Sequence, residues 1–200
     1  MDLREELVGL ELRWRQRGAP VEALLLPGLS SQDVVQALAD IHDPHPDVLT
    51  WYGWHNGSHY GVFEVPVVPS GRLLTQLEEA VELQQILLDQ QTEAREAGVP
   101  YTEGDDFEAT WLPVATTRDA DGFTIAVDLA TGAVYRHDNG PGSLVYRQDN
   151  LRIADDLASL VHTWCAELDR GAYAWNGETH DWDYDPSDMP AELRELNIIR

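Results

Sequence analysis

The sequence predicts an α+β domain organised around a β-hairpin, with mostly helical pattern before and after it. Three observations carry this. Residues 111–134 hold two apolar runs, Trp111-Leu-Pro-Val-Ala and Gly122-Phe-Thr-Ile-Ala-Val-Asp128-Leu129, separated by a polar break and followed by a Gly132 turn into Ala-Val-Tyr. That is the pattern of a β-hairpin with a glycine-bearing turn. Apolar residues at helical spacing flank this stretch on both sides. The composition is that of a packed chain, with 200 residues, 43% apolar content, seven Trp and seven Tyr, which suits one domain with a sizeable core.

Taken in order, Asp2 precedes Leu3, Leu7, Leu10 and Trp14 at helical spacing, with Glu5 and Glu6 in the favourable first turn. Gly18-Ala-Pro20 stops this first amphipathic helix. Residues 21–26 are an apolar run too short to assign, ending at Pro27-Gly28. Ser30 or Ser31 caps a second helix with Val34, Val35, Leu38 and Ile41 on one side. His42-Asp-Pro44-His-Pro46 breaks the pattern, and Pro46 opens a short third helix through Val48, Leu49, Trp51 and Tyr52, closed by Asn56-Gly57. Residues 60–65 alternate as a strand would, until Pro66.

Ser70-Gly71 leads into the longest helix, whose apolar stripe is Leu74, Leu77, Val81 and Leu88 and whose stop is Gly98 and Pro100. Its other face, Glu78, Glu79, Glu82, Gln84, Gln85, Gln90 and Gln91, is expected in water. After the central strands, residues 143–147 form a further candidate strand. Asp149 or Asn150 then caps a last helix with Leu157, Leu160, Val161, Trp164 and Leu168 on one face, ended by Gly171.

Charge is the outlier. With 36 acidic residues against 13 basic ones the formal net charge is −23. Such a surface repels phosphate backbones and anionic headgroups, which argues against nucleic-acid and membrane-surface roles, and it steers a basic partner inward. The plainer reading is that acidity maintains solubility. One cysteine, Cys165, excludes an internal disulfide and suits a reducing compartment. No run approaches the roughly 18–20 apolar residues of a membrane span, and Met-Asp-Leu-Arg-Glu-Glu lacks the basic start of a signal peptide. A cytoplasmic location is expected.

Candidate chemistry is sparse. Asp181, Asp183, Asp185 and Glu192 occupy positions 1, 3, 5 and 12 of a calcium-loop template, yet Pro186 stands where the template needs Gly. The alternative is an acidic, exposed turn. His42, Asp43, His45, His55 and His59 offer zinc-type ligands at an irregular, proline-interrupted spacing that equally suits loop and cap histidines. Cys165 lies on the inward side of its helix, as a small hydrophobe rather than a nucleophile. Trp51, Tyr52 and Trp54 form either a stacking platform or core. No phosphate loop, Gly-x-Ser-x-Gly elbow or His-Glu-x-x-His helix is present.

The order of short motifs resembles the SUKH superfamily, which groups a fungal cell-wall-synthesis regulator domain of the Smi/Knr type with bacterial toxin-immunity proteins. The similar pieces run from about residue 26 to 173. They are Leu26-Pro-Gly-Leu29 before a Ser-capped helix, Trp51-Tyr-Gly-Trp-His-Asn-Gly57, and Leu74-Thr-Gln-Leu-Glu-Glu-Ala-Val81. Trp111-Leu-Pro-Val-Ala, Gly122-Phe, Val127-Asp-Leu129, Gly132-Ala-Val134 and a final helix beginning Ile153-Ala-Asp-Asp-Leu157 follow. In the turn, Asp128 can accept backbone hydrogen bonds and Gly132 can take a positive φ. The family's second helix often ends in a Glu and Leu-Pro, where this chain has His42-Asp-Pro44-His-Pro46. The tail beyond Tyr173 lies outside the pattern.

The resemblance implies a SUKH-like α+β domain over 26–173 with a central, mostly antiparallel sheet packed by helices, which leaves a helical extension over 1–25 before it and an acidic tail over 174–200 after it. It implies protein binding rather than catalysis, with no cofactor and no metal, and for bacterial members the neutralising of a toxin, often a nuclease. A basic toxin partner agrees in sign with the charge. The expected contact residues are Glu103, Asp105, Asp106 and Glu108 of an acidic connector, with Asp181, Asp183, Asp185 and Asp188 of the tail. The alternatives are a housekeeping scaffold like the fungal regulator, or a small metal-dependent hydrolase using Asp181, Asp183 and Asp185.

Overall fold

The β-branched and aromatic residues between Trp111 and Asp138 form three strands of one sheet. In the computed structural model, which describes residues 1–59, 72–98, 106–117, 122–138 and 151–184, β4 (Trp111–Thr117), β5 (Phe123–Asp128) and β6 (Val134–Asp138) pair as antiparallel neighbours. The outer strands β3 (Arg72–Leu74) and β7 (Leu151–Ala154) complete a five-stranded antiparallel sheet in the order β3-β4-β5-β6-β7. The fold is therefore α+β. Pro113 cannot donate to a ladder, and the β4–β5 register slips at that point, between Pro113 and Ala115. In the β5–β6 turn Asp128 Oδ1 accepts from Ala130 N–H at 3.0 Å and Oδ2 from the Thr131 hydroxyl at 2.6 Å, while Gly132 takes φ +80°, as the sequence predicts.

Both faces of β4 and β5 are buried. Leu112, Val114, Ile125 and Val127 enter the main core, whereas Trp111 and Ala126 join a second cluster with Phe107 and Leu87. Helices α1 (Leu3–Gln16), α3 (Pro46–Trp54) and α5 (Leu157–Asp169) line the main core. The 20-residue α4 (Leu77–Glu96) begins in that core with Leu77 and Ala80 and reaches the second cluster with Leu87. A short α2 (Ser31–Ala37), capped by Ser30, adds Val34 to the main core. Residues 1–25, expected as an extension, contribute Leu3, Leu7, Leu10, Trp14 and Val21 to the same cluster as the sheet.

Three helices run in the same sense. Glu6 meets His162 at 3.3 Å and Arg13 meets Asp169 at 2.6 Å, so α1 and α5 are side by side and aligned. Trp54 at the end of α3 stacks on Trp14 at 6.0 Å and donates its Nε1–H to Glu11 at 2.6 Å. Their N-terminal caps are Asp2, His45 and Asp156, each side chain accepting a backbone N–H of the first turn. Burial raises the Asp47 carboxyl above its ordinary pKa, with His45 opposing and Asp156 reinforcing. Burial also pushes Asp156 upward, but the hydrogen bonds from Ser159 outweigh it and hold that carboxyl below the usual value.

Several boundaries differ from expectation. Asn56-Gly57 does not close α3. The helix ends at Trp54, and residues from His55 form β2 (His55–Ser58), which pairs with β1 (Leu25–Pro27). The reason is tertiary: Asn56 Oδ1 caps α4 by accepting Leu77 N–H at 2.9 Å, and Gly57, at φ +75°, lies where a Cβ would come within 2.6 Å of Gln76 N. The longest helix starts at Leu77, because Leu73 and Leu74 pair with β4. The last helix is capped by Asp156 rather than Asp149 or Asn150, because residues 151–154 are drawn into the sheet beside β6. The candidate strands at 60–65 and 143–147 lie outside the described residues.

Gly57 and Gly98 both take positive φ, but only Gly57 is hemmed in by backbone. Gly98→Ala is expected to cost about 1 kcal/mol from strain alone, and Gly57→Ala about 2 kcal/mol more from overpacking. Urea unfolding midpoints of the two variants check the difference.

Candidate functional site

The acidic connector is laid against α4 by side-chain amides. The buried stripe of α4 is Leu77, Ala80, Gln84, Leu87 and Gln91, so Gln84 and Gln91, expected in water, face inward. Gln84 Nε2 donates to the carbonyls of Ala109 at 2.8 Å and Trp111 at 2.9 Å. Gln91 pairs with both peptide groups of Phe107, accepting its N–H at 2.7 Å and donating to its carbonyl at 3.5 Å. The segment 106–110 is not a strand and has no ladder to satisfy its peptide groups, and two amides two turns apart supply what is missing. Phe107 then sits edge-on to Trp111 with centroids 5.6 Å apart, and Trp111 stacks on Tyr135 at 4.3 Å.

This placement sorts the expected contact residues of the connector. Asp106 is partly buried and pairs with Arg95 of α4. Glu108 is exposed. Glu103 and Asp105 lie outside the described residues. A second acidic surface is the outer face of α4, opposite the side that holds the connector. Glu78, Glu82, Asp89, Glu93 and Glu96 are all exposed and fall within about 60° of one another along a helix roughly 30 Å long. Among the described residues no basic side chain pairs with Glu78, Glu82, Glu93 or Glu96, and Asp89 accepts from Gln85 at 2.8 Å. Ile86, also exposed, borders this face.

Of the tail residues, Asp181 and Asp183 occupy a strand rather than an exposed turn. β8 (Tyr173–Asn176) and β9 (Asp181–Tyr184) form an antiparallel hairpin. The Asp-Trp-Asp alternation has the period of a strand, which turns Trp182 onto Trp175 and into the main core and leaves Asp181 and Asp183 exposed on the other face. Asp183 accepts from Asn176 Nδ2 at 3.1 Å and Asp181 from Trp182 N–H at 2.7 Å. Asp185 and Asp188, together with Pro186 and Glu192, lie outside the described residues.

Most of the other candidates take structural roles, while the side chains of Asp43 and His59 are exposed. His42 meets the Asp43 carbonyl at 2.7 Å, His45 caps α3, and His55 sits between the Leu26 carbonyl at 2.9 Å and Glu11 at 3.4 Å. Among the described residues, no group of three His, Cys, Asp or Glu side chains is placed to hold a metal ion. Trp51 and Tyr52 are buried and Trp54 is half-buried on Trp14, so this trio belongs to the core. Cys165 is buried as well, and burial pushes its thiol up to about 11, with Arg13 opposing. No helix among the described residues is long and apolar enough to cross a membrane.

The sequence reading missed Gln84 and Gln91. The available signal was their spacing, since both lie on the line of Leu77, Ala80 and Leu87. Compared with protein-family models and with curated proteins, the chain matches none.

Gln91→Leu leaves the Phe107 N–H buried without an acceptor and is expected to cost about 2 kcal/mol, whereas Gln85→Leu on the exposed side should stay within about 0.5 kcal/mol; denaturant titration distinguishes them. Cys165 gives a pH test. Its folded pKa is raised, so its contribution is intact below the unfolded value near 9.0 and is lost as pH rises toward about 11. The stability of Cys165→Ala, measured against the parent across that window, should fall less steeply.

Proposed function

We propose that the protein is a non-catalytic, cytoplasmic binding module that engages a basic protein partner through its acidic exterior. The observation that carries this is the outer face of α4, on the side away from the connector that Gln84 and Gln91 hold, where a row of exposed carboxylates has no cationic partner among the described residues. A side chain already paired within the fold, as Asp106 is with Arg95, has less to offer a partner. Unpaired exposed carboxylates keep their full field and accelerate encounter with a positive surface. The resemblance to SUKH immunity proteins supports the more specific reading that the partner is a toxin domain. A nuclease toxin must attract phosphate, so its binding cleft would carry the complementary charge.

The experiment immobilises the protein and challenges it with candidate basic toxin domains and with lysate at low and then rising salt. One basic protein should bind and should be released as ionic strength screens the contact. The triple variant Glu82→Gln, Asp89→Asn, Glu93→Gln, with its fold checked by circular dichroism, should weaken binding roughly tenfold, since three exposed charges contribute about 0.5 kcal/mol each. Binding that ignores both salt and the triple substitution would sink the proposal.

A further inference from the structure

Two Asn-Gly pairs lie within the described residues, Asn56-Gly57 and Asn176-Gly177, and their surroundings are opposite. Such a pair can cyclise: the glycine backbone nitrogen attacks the asparagine Cγ, because glycine has no Cβ to block the approach. Whether it does so depends on how the asparagine is held. Asn56 reaches across to α4, its Oδ1 accepting Leu77 N–H at 2.9 Å, and Gly57 is buried against the backbone of Thr75 and Gln76. That side chain is committed away from its own glycine, and the peptide has no room to turn.

Asn176 ends β8, where the chain turns toward β9. Its Oδ1 accepts from Glu178 N–H at 2.9 Å and from Thr179 N–H at 3.3 Å, which folds the amide back over the peptide that follows it. Gly177 is exposed, and an added Cβ there would meet nothing within 4 Å. The two N–H groups point at the atom on which negative charge collects once Cγ becomes tetrahedral, the arrangement that stabilises oxyanions in acyl-transfer sites. The nitrogen that must leave, Nδ2, is held by Asp183 at 3.1 Å.

We propose that Asn176-Gly177 is a self-modification site, at which the turn promotes loss of the Asn176 amide with water as the only co-reactant. The Gly177 nitrogen gives its proton to solvent and bonds to Cγ. The Cγ–Nδ2 bond breaks, and Nδ2 leaves as ammonia after taking a proton from water. Water then opens the cyclic imide at either carbonyl, leaving aspartate or isoaspartate at position 176. The product adds one negative charge beside Asp183, replacing the donor at 3.1 Å with a carboxylate and weakening the hairpin where Asn176 pairs with Asp181.

The test incubates the whole chain, folded and guanidinium-unfolded, in mildly alkaline buffer, and follows each asparagine by peptide mapping with mass spectrometry. Residue 176 should convert at least about tenfold faster in the folded chain than in the unfolded one, a fraction of what one well-placed oxyanion donor contributes in enzymes. Asn56 should convert more slowly when folded. Gly177→Ala, which the open space accommodates, should slow conversion at residue 176 at least about tenfold and leave the rate at Asn56 unchanged. Conversion of Asn176 that is slower in the folded chain, or that runs at the parent rate in Gly177→Ala, overturns the proposal.

Discussion

The pairing of β4 with β5, buried on both sides, is the constraint from which the other placements follow. Every described side chain of β5 up to Val127 is buried, including Thr124. A strand pair with no solvated face needs a layer on each side, or apolar area stays in water at roughly 25 cal/mol per Å². The helices α1, α3 and α5 cover one face, and α4 with Phe107 covers the other. Because α4 has to reach from one cluster to the other, it is the longest helix described.

On the main-core side, tryptophan rings do much of the filling. Trp14, Trp51 and Trp164 are fully buried, with Trp51 and Trp164 at 6.4 Å, and their indole N–H groups have no hydrogen-bond partner among the described residues. Ring area and contact outweigh the unmade hydrogen bonds. The shared direction of the three helices gathers their positive ends, which is why that pole tolerates Asp2, Asp47 and Asp156 together.

On the other face the filling is partly polar. Gln84 and Gln91 sit in line with Leu87 because what packs there is irregular backbone, with peptide groups that only an amide can satisfy from both sides. This has a functional corollary. Tethering the connector to α4 places Glu108 in a segment held against a helix whose opposite side is already rich in carboxylates, while Arg95 neutralises Asp106. The protein thus separates acids with a structural partner from acids left to the solvent, and it is the second group that can recognise a positive surface.

The local features were legible in the residues. The β4–β6 pattern, the α1 stripe from Leu3 to Trp14, the Ser30 cap, the Pro46 start of α3 and the inward Cys165 all follow from periodicity and capping chemistry, which act within a few positions. Asn56 and Asp156 were less legible, because their roles depend on which remote segment arrives beside them, α4 in one case and the edge of the sheet in the other. The same holds for the glutamines of α4. Hydrophobicity alone assigns an amide to water, and only the approach of residues 107–111 makes burial favourable. What the sequence by itself determined is the fold class, the net charge and most helix faces, since these are sums or short-range patterns. Tertiary structure alone decided which of the described carboxylates are paired within the fold and which have no cationic partner among the described residues, because pairing depends on distances between segments that composition and spacing do not contain.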